Sequence, residues 1–303
     1  MERMIKRIML IINPRAGTGQ YRTDISDILE AFSQNDAVAT VYMTTHSGHA
    51  TELVEAHAHK YDIVVCCGGD GTLSETIAGL MALEDRPPVG YIPMGTANDV
   101  AATLGLPKEG GKAAQIALAG RPIPLDVGLF DGEHFSYIAA FGAFTEVSYQ
   151  TPTENKQTLG HLAYVLEGMG HLGKIVPRKL VVEYDGGKRV EGKFIFGGVS
   201  NTTSIAGLVK LRPELVDLGD GEFEIILVKN PRSLMALNAL FMDIVTQKYD
   251  SKYVQIFRAK EARFRFEEPV PWTRDGEAGG LHREAYFQIL QPGVQIMVPD
   301  EKE

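Results

Sequence analysis

The chain has 303 residues, of which 44% are hydrophobic and 23% are charged, and its formal net charge is −9. These values are ordinary for a globular protein, and the length is sufficient for two domains. The negative charge argues against nucleic acid as a general partner, because contacts to phosphates depend on clustered lysine and arginine. No apolar run approaches the length of a membrane span, and the one near the start is too short for a secretory signal. We therefore expect a soluble protein. Its two cysteines, Cys66 and Cys67, are adjacent in an apolar strand and cannot form a structural disulfide, so we expect a reducing, cytoplasmic setting.

The first part of the chain alternates predicted strands and helices. The strands are predicted at Arg7–Asn13, Ala37–Met43, Asp62–Cys67 and Val89–Ile92. The helices are predicted at Tyr21–Phe32, Ala50–Lys60, Leu73–Leu83, Gly95–Leu104 and Lys112–Ala119. Such alternation is typical of parallel strands joined by right-handed crossovers. We predict an α/β domain over residues 1–128, with a Rossmann-like arrangement of three α/β/α layers.

Three of these predicted strands are followed by polar loops that contain glycine. The loops are Asn13-Pro14-Arg15-Ala16-Gly17, Gly68-Gly69-Asp70-Gly71-Thr72 and Gly95-Thr96-Ala97-Asn98-Asp99. The carboxyl ends of parallel strands share one edge of a sheet, and ligands bind there. Glycine lets the backbone approach a bulky anion, and a helix that follows presents unpaired N–H groups to it. A tight turn alone would need one glycine and no carboxylate, so the three loops together favour a phosphate-binding edge.

After about residue 128 the pattern changes to successive strands. They are predicted at Gly128–Phe130, Ser136–Phe141, Lys179–Tyr184, Arg189–Gly197, Glu222–Val228, Tyr253–Arg258, Ala262–Phe266 and Glu284–Leu290. Two helices interrupt them, at about His161–Leu172 and Ser233–Val245. Strands separated by Asp-Gly or Gly-Gly turns are typical of antiparallel sheets. We predict a second domain over residues 129–290 that is antiparallel, β-rich and sandwich-like.

Two carboxylates in the first part of the chain are candidate magnesium ligands. If ATP binds to the glycine loops, transfer of its phosphate needs a divalent cation. Magnesium prefers one or two carboxylates together with water and phosphate oxygens. Asp70 is the acidic residue inside its glycine loop, and Asp126 lies where the two predicted domains join. We assign both to the catalytic set, with Asp126 acting through water.

Two acidic segments in the second part leave alternatives open. Asp275 and Glu277 are two positions apart, so on a strand they would face the same side. An Asp-Gly pair also suits a hairpin turn with solvated acids. The second segment contains Asp217, Asp220 and Glu222. Oxygens at this spacing can surround one cation, or the segment can be a plain hairpin.

Together these motifs resemble the diacylglycerol kinase catalytic-domain family, which includes bacterial soluble lipid kinases and sphingosine kinases. The Asn-Pro-x-Ala-Gly and Gly-Thr-x-Asn-Asp segments are the specific part, because the Gly-Gly-Asp-Gly-Thr segment also occurs in NAD kinases and phosphofructokinases. The resemblance covers the whole chain. It implies ATP and Mg²⁺ as cofactors, a lipid alcohol as acceptor, a cleft between the domains and transient peripheral contact with membranes. It also implies that a last strand, Val294–Val298 within residues 291–303, returns to the first domain.

The resemblance assigns roles to individual residues. Glu277 would accept the proton of the lipid hydroxyl, supported by Asp275. A structural magnesium ion would bind at Asp217, Asp220 and Glu222. Thr44 would lie near the nucleotide, although a helix-capping role for its Ser/Thr-rich segment is equally compatible with the sequence. The nucleotide-binding set is Asn13, Pro14, Arg15, Ala16, Gly17, Thr44, Gly68, Gly69, Asp70, Gly71, Thr72, Leu73, Ser74, Glu75, Gly95, Thr96 and Asn98.

Two other functions and several partners stay open at this stage. The alternatives are an NAD kinase-like enzyme and a non-catalytic regulator that senses a nucleotide. A homodimer is compatible with the sequence, which does not determine the oligomeric state. Local basic groups could meet a membrane or could be ordinary solvated side chains. They are Arg3, Lys6 and Arg7 in the first part, and Lys174, Arg178 and Lys179 in the second.

Overall fold

The structure is a computed structural model that describes residues 5–17, 21–142, 176–202, 204–205, 209–210, 217–231, 233–246 and 251–300. The chain divides into two compact units. The first unit is Met1–Asp126 with Pro292–Glu303, and the second unit is Val127–Gln291. The helix predicted at His161–Leu172 lies outside the described residues. Within the described part of the chain, no helix is both long enough and apolar enough to span a membrane.

The secondary structure is mixed and rich in strands. The helices are α1 Tyr21–Gln34, α2 His49–His57, α3 Asp70–Met81, α4 Asp99–Thr103, α5 Gly110–Ala119 and α6 Leu234–Val245. The strands are β1 Lys6–Ile12, β2 Ala37–Met43, β3 Ile63–Gly68, β4 Val89–Pro93, β5 Arg121–Phe130, β6 Glu133–Phe135, β7 Ile138–Gly142, β8 Arg178–Tyr184, β9 Lys188–Ser200, β10 Ser204–Ile205, β11 Val209–Lys210, β12 Phe223–Lys229, β13 Val254–Ala259, β14 Glu261–Arg274 and β15 Glu277–Val298. This confirms the mixed α/β class, while the Rossmann-like and sandwich-like descriptions stay predictions.

The first unit is built on parallel strands in the order β2–β1–β3–β4. The end of β15 pairs in parallel with β4 through Ile296 and Val89. Every residue of β3 and β4 is buried. Such continuous apolar runs are typical of parallel strands covered on both faces. Ile28 and Phe32 of α1 and Ala113 and Ala117 of α5 belong to the buried core of this unit.

Two helices of the first unit begin later or earlier than predicted. Helix α3 begins at Asp70, three residues before the predicted start, so the glycine loop forms its first turn. Helix α4 begins only at Asp99, because Asn98 adopts a left-handed conformation that keeps residues 95–98 out of the helix. The predicted starts of these two helices, Leu73 and Gly95, were therefore wrong.

The second unit is antiparallel, with the strand order β13–β12–β9–β7–β14–β15 and with β8 paired to β9 and β14. Its core is aromatic and surrounds Trp272, which is the single tryptophan of the chain. The ring centroid of Trp272 lies 4.9 Å from that of Phe141 and 5.2 Å from that of Phe287. Aromatic side chains bury large areas, so this cluster dominates the packing of the unit.

Strands β14 and β15 form one long hairpin rather than the two short strands predicted at Ala262–Phe266 and Glu284–Leu290. The turn is Asp275-Gly276, with φ of 47° and 84°. Both values are positive, as a tight two-residue hairpin turn requires. The hairpin therefore fixes where Asp275 and Glu277 lie.

We expect Phe223→Ala to destabilise the second unit by about 3–5 kcal/mol, since Phe223 is fully buried in the aromatic core. Urea unfolding followed by Trp272 fluorescence measures this unit, because Trp272 is buried in it. Met235→Ala is the control, since Met235 is 82% exposed and should change stability by no more than about 0.5 kcal/mol. Equal effects of the two substitutions would contradict this description of the core.

Candidate functional site

Asp70 is the residue around which the glycine loops of the first unit are arranged. Its Oδ2 accepts the backbone N–H of Asp99 at 2.9 Å, and its Oδ1 accepts that of Val100 at 3.2 Å. Asp70 is itself the first residue of α3, and the two amides belong to the first turn of α4. The carboxylate therefore lies at the positive ends of two helices, where negative charge is stabilised. Its side chain is buried and ties the two helix starts together.

The hydroxyl of Tyr91 is part of this arrangement and was not predicted from the sequence. It donates toward Asp70 Oδ1 at 3.4 Å and toward Asn98 Oδ1 at 3.3 Å. Tyr91 is buried in β4, in a run that reads as purely apolar. The sequence offered one signal for this contact: a tyrosine in a buried strand usually has a hydrogen-bond partner for its hydroxyl group.

Asn98 closes the loop that begins at Gly95. Its Oδ1 accepts the Gly95 N–H at 2.9 Å, and its Nδ2 donates to the Gly95 carbonyl at 2.8 Å. Gly95 also lies against Gly69: a Cβ on Gly95 would be 2.6 Å from the Cα of Gly69. The two loops thus touch backbone to backbone, and this contact requires glycine. Thr96 is exposed at the top of the closed loop.

The first loop is joined to the other two. Asn13 Nδ2 donates to Thr72 Oγ1 at 2.9 Å, and Asn13 Oδ1 accepts the Arg15 N–H at 2.9 Å. Gly17 has a φ of 54°, and a Cβ there would collide with the Met94 carbonyl oxygen. The structure therefore brings together the three loops that the sequence predicts at one edge of the sheet. Within this loop Arg15 is exposed, and Pro14 and Ala16 are half-buried.

Glu75 holds a fourth loop rather than pointing away from the protein. Its Oε1 accepts the Gly48 N–H at 2.8 Å, and its Oε2 accepts the Ala50 N–H at 3.2 Å. These amides are at the start of α2, whose N-cap residue is Gly48, without a side-chain cap. The alternative in which the Ser/Thr-rich segment around Thr44 caps α2 is therefore wrong. Thr44 is buried and donates its N–H to the Ile12 carbonyl at 2.9 Å.

The remaining predicted residues of the first unit differ in their exposure. The Leu73 side chain is fully buried in the core, so only its backbone could face a ligand, and Ser74 is half-buried. A Cβ on Gly68 would collide with the Thr72 side chain. A Cβ on Gly71 would meet no atom within 4 Å, so there is open space over the first turn of α3. Asp126 is buried in β5.

Asp275 of the second unit is held by the backbone. Its Oδ2 accepts the Ser136 N–H at 2.7 Å, and its Oδ1 accepts the N–H groups of Tyr137 at 3.1 Å and Ile138 at 3.0 Å. Asp275 lies in the hairpin turn and is buried, whereas Glu277 begins β15 and is exposed. The interpretation in which both acids face one side of a strand is therefore wrong. The hairpin-turn alternative is confirmed for the turn itself, but Asp275 is buried rather than solvated.

The segment predicted to bind a structural magnesium ion faces an arginine. Arg258 of β13 forms ion pairs with Asp220 and, at 3.5 Å, with Glu222. Asp220 Oδ1 accepts the Glu222 N–H at 3.0 Å, and Asp217 Oδ1 accepts the Gly219 N–H at 3.1 Å. In the described part of the chain, no three His, Cys, Asp or Glu side chains are grouped so that they could hold a metal ion. The cation site stays a prediction, and Arg258 is the group with which a cation would compete.

Glu224 extends this acidic cluster into the core. Its side chain is buried, and burial raises its pKa to about 8. Glu224 Oε1 lies 3.5 Å from Arg258 Nε, which is an ion-pair distance rather than a hydrogen bond. Neither carboxylate oxygen has a hydrogen-bond partner among the described residues. Burial is the main cause of this rise in the pKa of Glu224, and the neighbouring carboxylates of Glu222 and Asp217 add to it.

Known proteins resemble this chain over almost its whole length. The sequence matches the family description "Diacylglycerol kinase catalytic domain" over residues 7–130. It is 33% identical to a diacylglycerol kinase of Bacillus subtilis (strain 168), over 98% of each chain. It is 31% identical to a diacylglycerol kinase of Staphylococcus aureus (strain bovine RF122 / ET3-1), over 98% of this chain and 94% of that protein.

The chain belongs to the diacylglycerol kinase family. The resemblance drawn from the glycine loops is confirmed, and the protein is an enzyme of the lipid kinase type. Solved structures agree: one from Bacillus anthracis str. Sterne has a TM-score of 0.83 at 28% identity and covers 98% of both chains. Another, a diacylglycerol kinase of the same strain, has a TM-score of 0.76 at 25% identity with the same coverage.

We expect Gly95→Ala to destabilise the first unit by about 1–3 kcal/mol, because its Cβ would press on Gly69 and on Asn98 Oδ1. Gly71→Ala is the matched control: its Cβ has free space, and alanine in a helix is neutral or stabilising by up to about 1 kcal/mol. Thermal unfolding followed by helical circular dichroism measures both. A neutral Gly95→Ala would contradict the contact between the two loops.

We expect Arg258→Gln to destabilise the second unit by about 1 kcal/mol, because it removes the ion pairs of Arg258 with Asp220 and Glu222. Arg189→Gln, which removes an exposed ion pair with Glu191, is the control and should be nearly neutral.

Without nucleotide, Mg²⁺ should raise the melting temperature of Arg258→Gln more than that of the parent protein, because the guanidinium no longer competes with the metal ion for the carboxylates. If the melting temperature of Arg258→Gln is the same with Mg²⁺ as with a chelator, the predicted cation site is contradicted.

Proposed function

We propose that the protein transfers the γ-phosphate of ATP to the hydroxyl of a lipid alcohol, with diacylglycerol as the first candidate. The observation that carries this proposal is the joining of three glycine loops around Asp70 at the start of α3. It leaves backbone N–H groups and open space over Gly71, where a phosphate could approach. The diacylglycerol kinases at 31–33% identity support the same acceptor class.

The nucleotide would be held mainly by the backbone and hydroxyl groups of the loops. The chain has no Gly-Lys-Ser/Thr phosphate loop, so no lysine of that type neutralises the phosphates. Magnesium would do so when bound, and the buried carboxylates of Asp70 and Asp126 suit its preference for oxygen ligands. Each oxygen of Asp70 already accepts an α4 amide, so its contact with the metal ion would be made through water.

Glu277 would take the proton of the lipid hydroxyl. As the hydroxyl oxygen attacks the γ-phosphorus, its O–H bond breaks toward the Glu277 carboxylate, and the bond between the γ-phosphorus and the leaving oxygen of ADP breaks. Asp275 is less suited to this role, because its oxygens accept three backbone amides. We assign Asp275 to positioning: it fixes the turn from which Glu277 extends. The proposal requires ATP and Glu277 to meet at the acceptor, in a cleft between the two units.

The direct test follows labelled γ-phosphate from ATP and Mg²⁺ to a panel of lipid alcohols in mixed micelles, with NAD included as a competing acceptor. Label in a lipid phosphate supports the proposal and identifies the acceptor class. Label in NAD would instead favour the NAD kinase-like alternative. Binding of ATP without transfer to any acceptor would favour the nucleotide-sensing regulator.

We expect Glu277→Gln to lower kcat by about 10²–10⁴-fold with little change in the KM for ATP, because the proton acceptor is lost while the loops stay intact. The matched control is Glu268→Gln, which changes an exposed carboxylate of the same unit. Steady-state kinetics with diacylglycerol measures both variants. A kcat that survives Glu277→Gln but falls in Asp275→Asn, with the fold intact, would transfer the role of base to Asp275.

We expect Gly71→Ala to weaken ATP binding by roughly tenfold while the fold stays intact, because the added methyl group occupies the space proposed for a phosphate. Gly198→Ala, in β9, is the control, because a Cβ there would make only ordinary contacts at 3.5 Å or more. Titration calorimetry with ATP and Mg²⁺ measures the affinities. Unchanged affinity in Gly71→Ala would exclude a phosphate over this turn.

A further inference from the structure

A β-bulge interrupts strand β15 shortly after the hairpin turn. Thr273 of β14 pairs with Ala278. The residue before it, Trp272, pairs with Gly280, so Gly279 is one extra residue on β15. Gly280 has a φ of 93°, and a Cβ on Gly279 would lie only 3.1 Å from the Thr273 carbonyl carbon. Both positions of the bulge therefore favour glycine.

The bulge determines the face of β15 to which Glu277 belongs. Glu277 lies opposite Arg274, and Gly280 lies opposite Trp272. Arg274 and Trp272 are two positions apart in the regular part of β14, so they share a face, and the residues opposite them share it too. Glu277 and Gly280 are therefore on one face although they are three positions apart. In an unbroken strand, residues at that separation lie on opposite faces.

The His282 side chain holds this bulge. Its Nε2 donates to the Gly279 carbonyl at 2.7 Å, and its Nδ1 lies 2.7 Å from Asp131 Oδ2. The carbonyl and the carboxylate can only accept, so both ring nitrogens donate, as they do in the imidazolium form. The ring is half-buried and packs against Phe130, with the ring centroids 4.8 Å apart. Two hydrogen bonds and one ring contact therefore fix its position.

Asp131 is a fixed point of attachment for this ring. It lies in the turn between β5 and β6. Its Oδ1 accepts the Tyr286 N–H at 2.8 Å, and its own N–H donates to the Tyr286 carbonyl at 2.9 Å. Because Asp131 is bonded twice to the backbone of β15, the His282 ring cannot move away from the bulge without breaking one of its two contacts.

The basic groups singled out in the sequence make simpler contacts. Arg3 and Lys174 lie outside the described residues. The others each contact an acid or a carbonyl: Lys6 the Leu118 carbonyl, Arg7 Asp62, Arg178 Glu268 and Lys179 Glu267. Exposed ion pairs of this kind contribute little to stability. His282 differs because it joins a backbone carbonyl of one loop to a carboxylate of another.

We propose that His282 is a positioning residue for the phosphate transfer. By holding the Gly279 carbonyl it stabilises the bulge, and the bulge keeps Glu277 on the face from which its carboxylate accepts the proton of the lipid hydroxyl. The inference rests on the proposed function, in which Glu277 is the base. His282 itself would not touch the substrate. Its loss should still slow the reaction, because a misplacement of about 1 Å can cost roughly 10²-fold in rate.

Two substitutions separate the two contacts of the ring. The amide nitrogen of glutamine can take the place of Nε2 and keep the bond to Gly279, whereas that of asparagine can take the place of Nδ1 and keep the bond to Asp131. We expect His282→Asn to lower kcat by about 10–100-fold and His282→Gln by less than about threefold, with the KM for ATP unchanged in both. Steady-state kinetics with ATP and diacylglycerol measures this. The control Arg283→Gln changes the next, exposed residue of β15 and should match the parent.

Hydrogen exchange tests the bulge without relying on activity. We expect the peptide that contains residues 277–281 to exchange faster in His282→Asn than in the parent, and at the parent's rate in His282→Gln, because only the glutamine keeps the bond to Gly279. Mass spectrometry measures the exchange, and circular dichroism verifies that both variants are folded.

Equal kcat values in the two His282 variants would overturn the inference, whether both fall or neither does. It would also be overturned if the fall in His282→Asn came with an equal rise in the KM for ATP, since that would show a general loss of structure. If the parent does not phosphorylate diacylglycerol, or if Glu277→Gln keeps its kcat, the proposed function fails instead. The exchange experiment then still decides whether His282 holds the bulge.

Discussion

The hydrogen bonds from Asp99 and Val100 to the Asp70 carboxylate are the interaction on which the arrangement of the three glycine loops depends. They join the starts of α3 and α4 at a buried point, where an unpaired amide or carboxylate would be costly. Once these helix starts are fixed, Gly69 and Gly95 can touch, and Asn98 can close its loop. Asn13 adds the remaining loop through Thr72. The phosphate site proposed at this edge depends on this packing of backbone against backbone.

The same arrangement occurs in both units: a buried or half-buried carboxylate accepts backbone amides and thereby fixes a loop. Asp70 does so at two helix starts, Glu75 at the start of α2, and Asp275 at the β14–β15 turn. Acidic residues that a sequence motif marks as chemical can therefore be positioning residues. In the second unit, exposure is the basis on which we propose different roles for the two acids, since Asp275 is buried and Glu277 is exposed.

Local patterns predicted the strands of the first unit and the convergence of its loops, because apolar runs and glycine spacing are properties of short segments. The start of α3 was missed because Gly-Gly-Asp-Gly resembles a loop, although a helix can begin on it. The contacts of Tyr91, Asp275 and Arg258 were missed for another reason. Each depends on which residues the fold brings opposite one another, and Arg258 meets Glu224 only through the register of β12 and β13. No spacing in the sequence encodes that register.

The most direct test of the central claim is hydrogen exchange at the amides of Asp99 and Val100 in Asp70→Asn, measured beside ATP affinity. The account predicts that both amides exchange faster and that ATP binding weakens in parallel, because the neutral amide side chain is a poorer acceptor and releases the start of α4. Loss of ATP binding with unchanged protection of the two amides would contradict it. Asp70 would then act on the nucleotide or its metal alone, and the loops would owe their arrangement to other contacts.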